Sequence, residues 1–263
     1  MSQLTDNRQW LLGRLKNSVK GIVKPLHELK QLLPDSFKQS AKQVMKPLLM
    51  LKTRVELLTV GTQPLAQEWC KRGINAHRIY LEQFLLSCAS DIKGHCLEFQ
   101  EDSYTSCFGG NKVTKLDILN KETDNPNSTI VADLTQPNDI PSNTFDCIIC
   151  TYVLHIIPEP DKMVAELHRI LKPGGVLLLA VPDITVNYSV YNELWRFTRK
   201  GLHLLLAKCF KAENITVQTY GNSLVAAGEL RGMAAVDFAP AQLNYNDPRF
   251  ALIVCARAVK LPG

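Results

Sequence analysis

The chain has 263 residues, 46% hydrophobic and 21% charged, with a net charge of +5 at pH 7, a balance that supports a large buried core and excludes a disordered or fibrous polymer. No apolar run approaches the roughly 20 residues that cross a bilayer, and the first residues lack a hydrophobic signal core, so an intracellular, cytoplasmic protein is expected. Eight cysteines at irregular spacing are too few for a disulfide scaffold in a chain this size and are expected as free thiols.

In chain order the first expected element is a basic helical extension over residues 1–72. Residues 1–60 hold eleven Lys/Arg against Asp6, Glu28, Asp35 and Glu56, so this stretch is +7 and the rest of the chain −2. Trp10, Leu11, Leu15, Val19, Ile22, Leu26, Leu29 and Leu33 recur on one helical face, which Pro25 would kink and Pro34 would end. A second apolar face follows with Phe37, Ala41, Val44, Met45, Leu48 and Leu49, broken at Pro47. Two readings stand side by side. Residues 8–50 make a peripheral contact with an anionic membrane surface, here the inner face, or with a partner protein; or their apolar stripe caps the chain's own domain. Nucleic acid is not expected as a partner, since no recognition motif accompanies the charge and the rest of the chain is slightly acidic.

From residue 73 to 263 helices and strands alternate. A helix is expected over 76–89, then strands at 95–99, 112–116, 129–132 and 146–150. Met163, Leu167, Ile170 and Leu171 mark a helix that Lys172-Pro173-Gly174-Gly175 stops, turning the chain into a strand at 176–181. Strands at 215–220 and 250–257 complete seven. The pattern predicts an α/β, doubly wound, mostly parallel seven-stranded sheet, whose ligands bind beyond the carboxyl ends of the strands. Cys147 and Cys150 form a CxxC, but alternation along a strand sends their side chains to opposite faces, so no metal site is expected.

The run Phe145-Asp146-Cys147-Ile148-Ile149, then Leu154-His155, then Leu171-Lys172-Pro173-Gly174-Gly175 before an apolar strand, resembles the second half of a class I S-adenosylmethionine-dependent methyltransferase domain of the type 11 group. Leu97–Gly110, Ala132–Ile149 and Leu194–Leu202 further resemble methyltransferase-domain proteins associated with bacterial surface-polysaccharide glycosyltransferases, over roughly 73–260. The extension lies outside the resemblance. It implies a Rossmann-like fold, S-adenosyl-L-methionine as cofactor, and a glycosyltransferase partner in polysaccharide biosynthesis. It also implies cofactor-binding residues: Glu98 opening the cofactor loop, with Asp102 following; Asp117 at the end of the second strand, accepting from both ribose hydroxyls; Asp133 and Leu134 against the adenine; and Tyr152. Gln100 stands where the family's loop has its first glycine, and no glycine follows until Gly109.

Methyl transfer to an alcohol requires removal of the acceptor's proton, and His155 and Asp183, each just beyond a strand end, are the candidate catalytic residues. The plainer readings are a histidine packed on Ile156 and Pro158, and a turn carboxylate ahead of Ile184-Thr185. Trp195, Arg196 and Phe197 are candidates for the acceptor wall. The expected function is O-methylation of a carbohydrate or small-molecule acceptor. A degenerate methyltransferase-fold interaction module in glycan assembly is the alternative. A dinucleotide-binding oxidoreductase is disfavoured by the missing glycine fingerprint.

Overall fold

The apolar runs that read as strands pair into one sheet in the computed structural model, which describes residues 71–123, 125–187 and 192–261 and isolated positions between 46 and 66. In chain order these are α1 (Ala76–Ser87), β1 (Gly94–Phe99), α2 (Ser103–Gly109), β2 (Val113–Asn120), β3 (Ile130–Val131), β4 (Phe145–Thr151), α3 (Pro160–Ile170), β5 (Leu171–Pro182), α4 (Arg199–Leu206), β6 (Ile215–Tyr220), α5 (Ser223–Leu230), α6 (Pro240–Asn244) and β7 (Ile253–Val259). The helical faces expected over 10–33 and 37–49 lie outside the described residues, apart from Lys46 and Pro47. Pro47, expected as a break, is helical. Among the described residues no helix is long and apolar enough to cross a membrane.

The strand order is β3-β2-β1-β4-β5-β7-β6. The pairs β1/β2, β1/β4, β2/β3 and β4/β5 are parallel, whereas β7 is antiparallel to both β5 and β6. The winding therefore reverses between β1 and β4, and the carboxyl ends of β1 to β6 all face one edge, where an open sheet of this kind binds its ligands. Central strands are buried on both faces, as their unbroken apolar sequences require: Ile148, Ile149, Cys150, Leu177, Leu178 and Leu179 are fully inaccessible. Each buried aliphatic side chain of this size contributes roughly 1.5–3 kcal/mol relative to exposure.

α3 shows why the central βαβ unit was readable. Met163, Val164, Leu167 and Ile170 are its buried positions, one stripe of a 3.6-residue helix. Lys260 closes its far end, its Nζ donating to the carbonyls of His168 (2.8 Å) and Leu171 (2.7 Å), which a helix C-terminus otherwise leaves unpaired. The Lys172-Pro173-Gly174-Gly175 stretch, expected as a turn, instead belongs to β5. It forms an irregularity between the Phe145↔Leu171 and Cys147↔Val176 pairs, held by Gly174 N–H to Lys260 O at 2.7 Å. A glycine is also required where α1 leads into β1. Gly94 has φ +69°, and a Cβ there would stand 2.5 Å from Asp146 Oδ2, the atom that accepts from His95 N–H (2.8 Å) and Lys172 Nζ (2.7 Å).

Two compact units divide the chain. His77–Ala226 with Tyr245–Gly263 carries the sheet; Ala227–Asn244 groups with residues before 77. Within that second unit, Asp237 accepts from Arg72 Nη2 (3.2 Å), Thr53 Oγ1 (3.2 Å) and its neighbour Ala234 N–H (3.0 Å).

Candidate functional site

Beyond the carboxyl end of β1 the chain enters a loop whose geometry Glu98 dictates. The residue is 1% exposed. Its Oε1 accepts from Tyr104 N–H (3.1 Å) and its Oε2 from Thr105 N–H (2.7 Å), so the strand's last turn is tied to the start of α2. Burial raises the Glu98 carboxyl above the usual range, against the pull of the Thr105 and Tyr104 hydrogen bonds. Both oxygens are used on the protein's own backbone, so Glu98 shapes the loop. Arg78 donates to the Tyr104 hydroxyl and its guanidinium lies 5.7 Å from that ring, packing the far side of α2.

Gln100 follows with φ +71°. This is the left-handed region that costs a residue with a Cβ about 1–2 kcal/mol and that glycine adopts freely. Its backbone is held on both sides, Gln100 N–H donating to Leu119 O at 3.0 Å and Asn125 Nδ2 donating to Gln100 O at 2.5 Å. The chain therefore keeps the bend that a glycine would give while carrying a side chain. Asp102 is exposed and flanks the N-terminal end of α2, making no cap hydrogen bond to it; its carboxylate accepts from Ser106 Oγ (3.4 Å).

Asp117 is not at the end of the second strand. β2 runs on through Asn120, and Asp117 sits in register with Leu97, one residue before Glu98 on β1. Its carboxylate accepts from Thr129 Oγ1 (2.9 Å) and pairs with His95 Nε2 (2.6 Å) and Lys115 Nζ (3.0 Å). Burial opposes its charge, but these three partners outweigh burial and hold its carboxyl below the ordinary value. The residues at the strand end proper are Asn120, Lys121 and Glu122. The signal was present: Ile118-Leu119 continue the apolar alternation beyond Asp117.

At the end of β3, Asp133 folds on itself, Oδ1 accepting from Thr135 N–H (2.9 Å) and Oγ1 (2.6 Å). Oδ2 pairs with Lys121 Nζ at 3.1 Å, so the loops after β2 and β3 are joined. The Thr135 hydroxyl first, and Lys121 after it, keep its carboxyl below the usual range. Leu134 is 4% exposed and belongs to the main core cluster.

Beyond β4, Tyr152 takes φ +54°, its N–H donating to Ala180 O at 2.9 Å. Its ring stands edge-on to His77 (5.4 Å) and His155 (6.3 Å). His155 lies in the 3-10 turn Leu154–Ile156. Burial pushes its imidazole down to about 4, leaving it neutral at physiological pH. Its Nδ1 is buried without a hydrogen-bond partner, while Nε2 lies 3.8 Å from Glu193 Oε1. Glu193 in turn pairs with Arg196. The backbone holds this group together: Leu194 and Trp195 N–H both donate to His155 O, at 2.9 and 3.0 Å. Trp195 Nε1 donates to Ile157 O at 2.8 Å. Trp195 is half-exposed and Phe197 buried, in an irregular segment ahead of α4.

Asp183 follows β5, its N–H donating to Leu252 O at 2.9 Å. Its carboxyl is raised by burial alone. The structure thus brings Gln100, Asp133, Tyr152, His155 and Asp183 to the same edge of the sheet and leaves Asp117 inside it.

Residues 99–179 match the methyltransferase domain family, and the strand order with one reversed strand is the class I arrangement. The matched segment is similar to a class I S-adenosylmethionine-dependent methyltransferase domain. Among curated relatives, the demethylmenaquinone methyltransferase of Listeria monocytogenes is 28% identical over 124 residues, 45% of this chain and 48% of that one. The ubiquinone/menaquinone biosynthesis C-methyltransferase UbiE of Escherichia fergusonii is 46% identical over 106 residues, 37% of this chain and 42% of that one. The chain spans about half the length of the curated relatives it matches. A solved methyltransferase from Archaeoglobus fulgidus, 10% identical, superposes with a TM-score of 0.49 over 72% of this chain and 96% of that chain. S-adenosyl-L-methionine is the methyl donor of this class.

Proposed function

We propose that the protein transfers the methyl group of S-adenosylmethionine to a small-molecule acceptor at the carboxyl edge of the sheet. The observation that carries this reading is the left-handed bend at Gln100, held by Leu119 and Asn125 at the carboxyl end of β1, where a donor loop would pass. S-adenosylmethionine supplies an activated methyl group on a sulfonium, so the protein's task is alignment, exclusion of water and removal of the acceptor's proton. The loop 100–102 would receive the methionine end of the donor, and Lys121, Asp133 and Leu134 the adenosine end. His155, neutral and with Nδ1 unpaired, would take the proton from an acceptor hydroxyl as the new carbon–oxygen bond forms, and Asp183 would be its alternate. The resemblance of Leu97–Gly110 and Leu194–Leu202 to polysaccharide-associated proteins favours a carbohydrate hydroxyl as acceptor and a glycosyltransferase as neighbour. The names of the relatives direct a parallel screen to quinone ring carbons.

Calorimetric titration of the full chain with S-adenosylhomocysteine tests the reading. Micromolar binding is the expected result, and radiolabelled methyl transfer to glycan and demethylquinone panels then separates the acceptors. A folded protein that takes up no S-adenosylhomocysteine would instead favour an interaction module whose cofactor pocket is closed by Gln100.

A further inference from the structure

At the far edge of the sheet from β3, β6 pairs only with β7 among the described residues. Edge strands are normally blunted by charge, proline or a bulge, because their unpaired N–H and C=O groups recruit another strand. β6 has none of these. Its sequence Ile215-Thr216-Val217-Gln218-Thr219-Tyr220 carries no charge or proline, and its register with β7 runs without interruption. At its carboxyl end Asn246 Nδ2 donates to Thr219 O at 3.0 Å.

Two cavities run along this edge. One, of about 570 Å³, is lined by Ile215, Thr216 and Val217 together with Arg199, Lys200, His203 and Leu204 of α4. The second, of about 300 Å³, continues from Val217 to Tyr220 and shares Arg199. Together they span the six residues of β6, roughly 20 Å of extended chain. The side chains of Arg199, Lys200 and His203 enter no hydrogen bond or ion pair with the described residues, and Leu204 beside them is 69% exposed.

We propose that β6 and the cationic face of α4 form a docking groove for an extended acidic segment of a partner protein, which joins the sheet as an additional strand. The length of the groove selects an extended segment over a compact anion. The Arg199 and Lys200 charges select acidic residues, and Leu204 selects apolar residues alternating with them. A second copy of this chain is disfavoured as occupant, since two β6 edges meeting would bring the two sets of cations together.

The test begins with a displayed library of random decapeptides panned on the full chain. The expected outcome is enrichment of sequences alternating Asp or Glu with Val, Ile or Thr. Binding of a synthetic enriched peptide, followed by fluorescence anisotropy, should weaken as salt rises and fall at least tenfold in R199E and K200E. Both substitutions place an acid in the first turn of a helix capped by Thr198, where it favours the helix dipole, so folding is retained. Hydrogen exchange should slow at β6 amides when the peptide binds. Failure to enrich any peptide, enrichment without acidic residues, or binding that leaves β6 exchange unchanged would each overturn the proposal. So would a dimer whose β6 amides are protected in the absence of peptide.

Discussion

At the scale of single residues the site is defined by two departures from easy chemistry. Gln100 occupies a conformation that costs it about 1–2 kcal/mol, whereas glycine pays roughly 0.5–1 kcal/mol of chain entropy on folding. Gln100→Gly is therefore expected to leave stability within about 1 kcal/mol while opening the loop. Affinity for S-adenosylhomocysteine should rise at least threefold by calorimetry; a fall would make the Gln100 side chain itself a ligand. The second departure is His155. Its imidazole titrates near 4 in the folded protein against about 6.5 when unfolded, so between those values the unfolded chain binds the extra proton. Stability therefore rises with pH through this window and is lost as pH falls, by up to about 3 kcal/mol. Acid-unfolding curves of wild type and His155→Gln should converge in slope above pH 6.5 and diverge below it, with the variant the flatter. Methyl transfer should hold its rate from neutral pH down toward 5, where an ordinary histidine base would have lost half its activity near 6.5.

At the scale of elements, two carboxylates on neighbouring strands, one register position apart, do different work. Glu98 joins β1 to α2 through two backbone N–H groups. Glu98→Gln leaves one of those donors facing an amide NH₂, a loss of about 1–3 kcal/mol, and should weaken S-adenosylhomocysteine binding by loosening α2. Exchange of the Tyr104 and Thr105 amides reads this directly. Asp117 joins β1 to β2 through His95 and anchors Thr129. Asp117→Ala is expected to lower the melting temperature by a similar free energy while changing S-adenosylhomocysteine affinity less than threefold; abolished binding in a folded variant would restore its ribose role. This pair also shows what the sequence could disclose. The βαβ unit from Phe145 to Pro182 was legible because buried strands and an amphipathic helix write distinct periodicities. The end of β2 lies four residues beyond the expected boundary at 116, because the family-like acid drew the boundary to itself, although Ile118-Leu119 carried the strand onward. Gln100's left-handed backbone left no trace in residue type, since a glutamine advertises no positive φ. The His155–Glu193 approach joins residues 38 positions apart across an irregular segment, and no local pattern encodes it.

At the scale of the whole molecule, charge and fold are distributed separately. The stretch 1–60 carries +7 and the remainder −2, so attraction to an anionic surface would originate outside the catalytic edge. The full chain is expected to co-sediment with vesicles containing phosphatidylglycerol at low ionic strength, to release at high salt, and to ignore neutral vesicles. Equal partition onto both lipids would remove electrostatic membrane contact from the account. The reversed placement of β7 bears on how such a chain is made. β6 leaves the ribosome before β7, its one partner among the described residues, and β5 likewise waits for its second neighbour. Until Ile253–Val259 emerge, two apolar strand edges stand open at once. A chain arrested just before that strand would thus contain every residue of the proposed catalytic edge yet be prone to clump with its fellows.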